Sequence, residues 1–198
     1  MPRDLHTMTA EDILALDHYE MVRANKKREA LLRKNLTRLA VGPNATFIFE
    51  TWDSIWLQIH EMLRIEKGGA EQLADELAAY GPMVPNGREL TATLLFEVVD
   101  ETLRDAFLRT IGGVEDHIFI QIGTQRVKAR PEGDVERTRA SDNKTSAVHF
   151  LHFDLTDDHV AQWRSGDTQI MLLIDHPRYG HAALITGDVR EFLARACF

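Results

Sequence analysis

The sequence has little cysteine, no long apolar run and too few basic residues to balance its acidic ones. A single cysteine, Cys197, excludes an internal disulfide and any zinc site built from several thiolates. No apolar run approaches the roughly 18 residues that a membrane-spanning helix needs. Lys and Arg number 23 against 31 Asp and Glu, a formal net charge of −8. This acidity argues against nucleic-acid and membrane partners.

What remains is a chain of globular composition. Its 198 residues are 44% hydrophobic and 27% charged, which suits one domain or at most two small ones. We predict a single α+β domain over residues 1–198, with a helical N-terminal segment at 1–40 and a sheet with covering helices at 41–198. Residues 1–6 lack the apolar core of a signal peptide, so we expect a cytoplasmic protein.

The fold class follows from the order of the apolar patterns. Strand-like runs occur at 45–50, 89–99, 117–122, 126–129, 147–155, 170–175 and 181–186. Because short turns join more of these runs than helices do, we predict a mostly antiparallel sheet of six to eight strands, with the N-terminal helices packed on it or projecting from it. The runs at 147–155 and 170–175 are apolar on both faces. They predict burial of Phe150, Leu151, Phe153, Leu172, Leu173 and Ile174.

The segment 52–66 has the clearest helical period. One face carries Trp52, Ile55, Trp56, Ile59, Met62 and Leu63. A second apolar strip, Leu57 and Ile65, flanks Glu61 on the opposite side. One sheet covers only one of these sides, so the second strip predicts a homo-oligomer, most simply a twofold dimer. The helix at 70–80 is the alternative cover within the chain.

Four short strings carry a family resemblance: FE at 49–50, QIHEMLRIE at 58–66, ELTATL at 89–94 and DHPRY at 175–179. Through them the chain resembles a bacterial family known as domain of unknown function 3501, from about Leu16 to the last helix. The resemblance implies no activity and transfers no catalytic residue. It implies a redox or oxidative-stress setting and a redox protein partner, through gene neighbours of the rubrerythrin and iron–sulfur types.

Several polar side chains stand at the ends of apolar elements. Glu66 continues the apolar stripe of its helix, Glu97 lies between two apolar neighbours, and His149 and His176 continue apolar strand faces. Glu50 follows Ile48 in the same way. Two imidazoles with carboxylates suit Fe(II), Zn or Mn, so Glu66, Glu97, His149 and His176 form a candidate divalent-metal site. No two of these residues have the short sequence spacing that is typical of metal ligands. Each also has a non-functional interpretation: the glutamates as solvent-exposed ends of their elements, and the histidines as residues of the core.

The alternative function is a non-catalytic interaction or accessory protein. The N-terminal helix carries seven basic residues against two acidic ones. This helix and helix 52–66 are candidate docking surfaces for an acidic partner. The basic residues are Arg23, Lys26, Lys27, Arg28, Arg33, Lys34 and Arg38. No nucleophile or phosphate-loop motif is present, Cys197 has no helix N-terminus to activate it, and the polar loop 131–146 has no apolar period.

Overall fold

The computed structural model describes residues 5–133 and 136–198, and the α+β class is confirmed. The helices are α1 (Leu16–Thr37), α2 (Trp52–Glu66), α3 (Gly69–Tyr80), α4 (Glu101–Thr110), α5 (Asp157–Ser165) and α6 (Gly187–Ala196). Single 3₁₀ turns lie at Ala10–Asp12, Gly81–Met83 and Val114–His117. Residues 1–4, on which part of the signal-peptide argument rests, and residues 134–135 of the polar loop lie outside the described residues. Within the described residues, no helix is long and apolar enough to cross a membrane.

The strands divide between two antiparallel sheets rather than forming one. They are β1 (Arg38–Val41), β2 (Ala45–Phe49), β3 (Glu89–Phe96), β4 (Ile118–Ile122), β5 (Gln125–Lys128), β6 (Arg130–Pro131), β7 (Val148–Asp154), β8 (Ile170–His176) and β9 (Tyr179–Leu184). The first sheet has the order β1-β2-β3-β7-β6 and the second β5-β4-β8-β9. The chain changes sheets at Ala129, between β5 and β6, so a single residue forms the corner.

The main core lies between the inner faces of the two sheets. Phe47, Leu94 and Leu151 of the first sheet and Ile120 and Leu172 of the second are fully buried in one cluster. The side chain of Tyr179 adds a polar tie. Its hydroxyl accepts hydrogen bonds from the backbone of residues 44 and 45 and donates one to the carbonyl of residue 41. These hydrogen bonds join Tyr179 of β9 to the turn between β1 and β2.

A second, smaller core covers part of the outer face of the first sheet. It joins Tyr19 of α1, the apolar stripe of α2 and Met83 after α3. The predicted stripe is confirmed, since Trp52, Ile55 and Ile59 are all buried. Thr51 begins α2 by accepting a hydrogen bond from the Ser54 amide, a cap that aims the first turn at the sheet.

The burial prediction for β7 and β8 holds on one face only. Leu151, Phe153, Leu172 and Ile174 are buried, and Leu173 is partly exposed. Burial of Phe150 is wrong: its side chain is 38% exposed. The reason is that β7 is next to the sheet edge, its outer neighbour β6 has only two residues, and the helices cover the far end of that face.

Candidate functional site

The two predicted carboxylates lie apart and have partners of their own. Glu66 ends α2, where its carboxylate accepts a hydrogen bond from the Gln72 side-chain amide at 3.1 Å. Glu97 follows β3 and accepts hydrogen bonds from the Thr46 hydroxyl and the Arg38 guanidinium, each at 2.6 Å. These bonds hold the pKa of Glu97 below its usual value. Both residues are exposed, the alternative that the sequence left open.

The two predicted imidazoles differ in burial and in their contacts. His149 is buried in the main core; its Nε2 donates to the Ser146 carbonyl at 2.9 Å, and its Nδ1 has no hydrogen-bond partner in the part of the chain that the structure describes. His176 ends β8, with its ring edge against His117. Burial lowers the pKa of both His149 and His176, and the charge of Glu115 partly opposes that effect at each. Glu115 lies in a 3₁₀ turn, where no strand or helix period marks its direction.

The four residues therefore do not form one ligand set. Among residues 5–133 and 136–198, no group of three or more His, Cys, Asp or Glu side chains has the geometry to hold a metal ion. The carboxylate that neighbours the imidazoles is Glu115, not Glu66 or Glu97. Metal binding itself stays a prediction of the sequence.

A different Glu–His cluster lies on the outer face of the first sheet. His152 of β7 is 3% exposed; its Nδ1 contacts the Glu89 carboxylate at 2.9 Å and its Nε2 contacts that of Glu132. Glu89 is buried on β3, and Glu132 follows β6. The Arg130 guanidinium lies 4.0 Å from Glu89 and 3.1 Å from Asp154. One imidazole thus joins three segments of the sheet edge.

The protonation state of this cluster follows from its geometry. Two ionised carboxylates only accept, so both ring nitrogens of His152 donate only when the ring is an imidazolium. Burial lowers the pKa of His152, but the hydrogen bond and charge of Glu89 outweigh it, and the net shift is upward. Since neither nitrogen is free for a substrate, the cluster serves as an anchor for β6 rather than as an acid–base centre.

The outer face also carries a pocket lined by one partly buried carboxyl group, that of Glu50. Glu50 follows β2, and its two carboxylate oxygens accept hydrogen bonds from the hydroxyls of Ser54 and Thr93, each at 2.6 Å. The cavity of about 350 Å³ lies between the sheet and the α2–α3 layer. The remaining lining residues are Ile48, Ile55, Gln58, Tyr80, Met83 and Phe150.

The electrostatics of Glu50 are unusual. Burial raises its pKa above the usual value, and the two hydroxyl hydrogen bonds offset only part of that rise. Within the described ranges no cationic side chain forms an ion pair with it. Desolvation without a counter-charge disfavours the ionised form of a carboxyl group, and a nearby cation favours it. Perturbed titratable groups in a lined cavity are typical of ligand sites.

Cys197 lies behind Glu50, in the main core. Its thiol points to the Glu50 carbonyl at 3.7 Å, and burial raises the pKa of that thiol to about 12. A thiol at that pKa has almost no thiolate at neutral pH. Cys197 is therefore a packing residue.

Comparison with known proteins gives the family and a structural relative. The family model described as "Protein of unknown function (DUF3501)" matches residues 7–197. The chain belongs to this family. The family resemblance drawn from the sequence strings is thereby confirmed. The chain is also similar to a protein of unknown function from Burkholderia pseudomallei K96243, known from a crystal structure at 1.90 Å resolution. Identity is 37%, the match covers 97% of this chain and 100% of the other, and the TM-score is 0.87. A search of curated proteins finds no match.

The basic helix of this family member is largely neutralised within the chain. The Arg23 guanidinium binds Glu61 through two hydrogen bonds of 2.6 and 2.9 Å, and lowers the pKa of that carboxyl to about 2. Ion pairs also join Lys26, Lys27, Arg33 and Arg38 to carboxylates of the same chain. Among the seven basic residues only Arg28 and Lys34 form no ion pair within the described residues. The positive charge available for an acidic partner is correspondingly small.

Proposed function

We propose that this protein binds a small organic cation, an ammonium with an apolar body, in the Glu50 pocket. The observation that carries the proposal is a partly buried carboxyl group that lines a cavity and forms no ion pair within residues 5–133 and 136–198. A ligand ammonium would supply the missing counter-charge and favour the ionised carboxylate. Each carboxylate oxygen has a second lone pair left after its hydroxyl hydrogen bond.

The walls of the pocket define the rest of the ligand. Ile48, Ile55, Met83 and Phe150 offer apolar contact, which favours a hydrocarbon or aromatic body. The Tyr80 hydroxyl and the Gln58 amide have no hydrogen-bond partner within residues 5–133 and 136–198. They are suited to a second polar group at the outer end of the ligand.

The proposal is tested by calorimetry with 2-phenylethylamine and its neutral analogue 2-phenylethanol. We expect the amine to bind one to one and the alcohol at least about tenfold more weakly, because a desolvated charge pair contributes more than a neutral hydrogen bond. Glu50→Gln should abolish the difference between the two compounds. Equal affinity for amine and alcohol in the unmodified protein would refute the proposal.

A matched control is Glu97→Gln, the same change at an exposed carboxylate outside the pocket. It should leave both affinities unchanged. Glu50→Gln removes a buried charge and keeps a group of the same shape, so we expect a melting temperature at neutral pH no lower than that of the unmodified protein. If Glu50→Gln unfolds, Thr93→Val gives a second route, since it weakens the site without touching the carboxyl group.

The metal and oligomer predictions are tested separately, and the redox role stays a prediction of the family resemblance. Elemental analysis of the purified protein for Fe, Zn and Mn decides the metal hypothesis for Glu66, Glu97, His149 and His176. Light scattering at micromolar concentration decides the dimer, since a mass near 22.5 kDa means a monomer. Leu57 packs against the smaller core while Ile65 is exposed, so only part of the second α2 strip is left for a partner.

A further inference from the structure

A second cavity lies at the opposite end of α2, where the chain enters α1. It has a volume of about 540 Å³, within the roughly 300–1,000 Å³ of small-molecule sites. Its walls are alkyl side chains from three segments: Ile13, Leu14, Leu16, Leu63, Ala70 and Leu73. We call it the leucine groove. Leu14 and Leu16 are both more than one-third exposed there, which is costly for a soluble chain.

The polar groups inside the leucine groove are already satisfied. His60 donates from Nδ1 to the Trp56 carbonyl at 2.7 Å and accepts the Leu14 amide on Nε2 at 3.0 Å. The Tyr19 hydroxyl donates to Glu61 at 2.6 Å. His60 and Tyr19 therefore offer no free donor to a polar ligand body within the described residues, and an extended peptide would leave its own amides unpaired along the leucines. An alkyl chain has no polar groups that would lose hydrogen bonds in the groove.

Among the described residues that line the groove, Lys67 is the one with a charged side chain, and Asp17 lines only the neighbouring depression. The groove shares Leu16 and Lys67 with a neighbouring surface depression that is also lined by Asp17, Glu20 and Arg64. Arg64 pairs with Glu20 at 2.6 Å, and Asp17 accepts the His18 amide. Within the described residues the Lys67 side chain makes neither an ion pair nor a hydrogen bond.

We infer that the leucine groove binds an anionic amphiphile, with an alkyl tail along the leucines and a carboxylate head at Lys67. This site is separate from the Glu50 pocket and does not depend on the function proposed for it. The tail supplies the affinity through burial of apolar surface, and Lys67 selects the sign of the head group.

The experiment uses dodecanoate, kept below its micelle concentration, in calorimetry with the full chain. We expect one-to-one binding, with decanoate at least about tenfold weaker because two fewer methylenes are buried. Dodecyltrimethylammonium, with the same tail and the opposite charge, should bind more weakly than dodecanoate. Equal binding of the two would overturn the inference, as would the absence of saturable binding.

Two pairs of variants locate the site. Lys67→Gln should weaken dodecanoate about two- to fivefold, the range of an exposed ion pair, and leave dodecanol unchanged; Lys34→Gln is the control outside the groove. Leu16→Glu should abolish binding of dodecanoate. Leu32→Glu places the same charge on the same helix at a residue that is 74% exposed and outside the groove, and should have no effect. Equal losses from both members of either pair would overturn the inference.

Discussion

The two faces of the first sheet differ in composition and in what they do. The inner face is apolar except for His149, and Leu90, Ala92 and Leu94 of β3 are fully buried in the main core. The outer face of the same strand carries Thr91, Thr93 and, at its start, Glu89, each hydrogen-bonded to another segment. Because successive side chains of a strand point to opposite faces, β3 places its apolar side chains on one face and its polar side chains on the other. The inner face builds the core, and the outer face builds the pocket and the anchor of β6.

The largest expected effect breaks the inner face. Leu151 on β7 is fully buried, so Leu151→Ala should lower the free energy of unfolding by about 2–5 kcal/mol through lost burial and a cavity. Urea denaturation measures the change. An unchanged transition midpoint would show that the inner face of β7 is not part of the core.

The next effect breaks the anchor on the outer face. His152→Gln leaves the buried Glu89 without its cationic partner, and we expect a loss of about 1.5–3 kcal/mol at pH 6, the range for hydrogen bonds to charged groups. Because the folded-state pKa of His152 is raised, its contribution is fully present below about pH 6.5, the unfolded value, and is lost as the pH rises through the folded pKa.

The difference between the stability curves of the unmodified protein and His152→Gln should therefore shrink as the pH rises above about 6.5. Urea titrations at a series of pH values measure it. His159→Gln is the control, since this half-exposed histidine lies on α5, away from the anchor. A difference that grows with rising pH would contradict the imidazolium geometry.

A smaller effect sharpens the role of the Glu50 pocket. Thr93→Val keeps the shape of the side chain but removes the hydroxyl that donates to Glu50, and we expect a loss of about 0.5–1.5 kcal/mol. It should also raise the pKa of Glu50 further, because that hydrogen bond favours the ionised form. A carbon-detected NMR titration follows the carboxyl group, and a lowered pKa would contradict the account.

The smallest expected change in stability is at an exposed residue of β7. Val148 lies on the outer face and is 42% exposed, so Val148→Ala should change the unfolding free energy by only about 0.5 kcal/mol. Chemical denaturation alongside Leu151→Ala compares two apolar residues of one strand. Equal losses would mean that both faces of β7 are packed alike.

The sequence patterns predict local structure well and long-range partners poorly. The period of α2 and its buried stripe follow from spacing alone, because each residue's direction is set by its neighbours. Phe150 shows the limit: apolarity on both faces predicts burial, but the two-residue length of β6 leaves that face open.

The candidate site shows the same limit. Glu50 stands out in sequence as a carboxylate after an apolar strand, yet its partner Thr93 is 43 residues away. His152 and Glu89 are 63 residues apart and meet only because β3 and β7 pair in one register. The prediction for Glu66, Glu97, His149 and His176 meets the same limit, since no spacing shows which chain segments the two sheets bring together.

The proposed function rests on Glu50, a partly buried carboxyl group that lines a cavity and would pair with a cationic ligand. The most direct measurement is a carbon-detected NMR titration of the Glu50 carboxyl group, with and without 2-phenylethylamine. The account predicts a pKa above the usual glutamate value of about 4.3 in the free protein, and a lower pKa once the amine is bound, because the ammonium stabilises the carboxylate. An ordinary pKa that the amine does not change would contradict it.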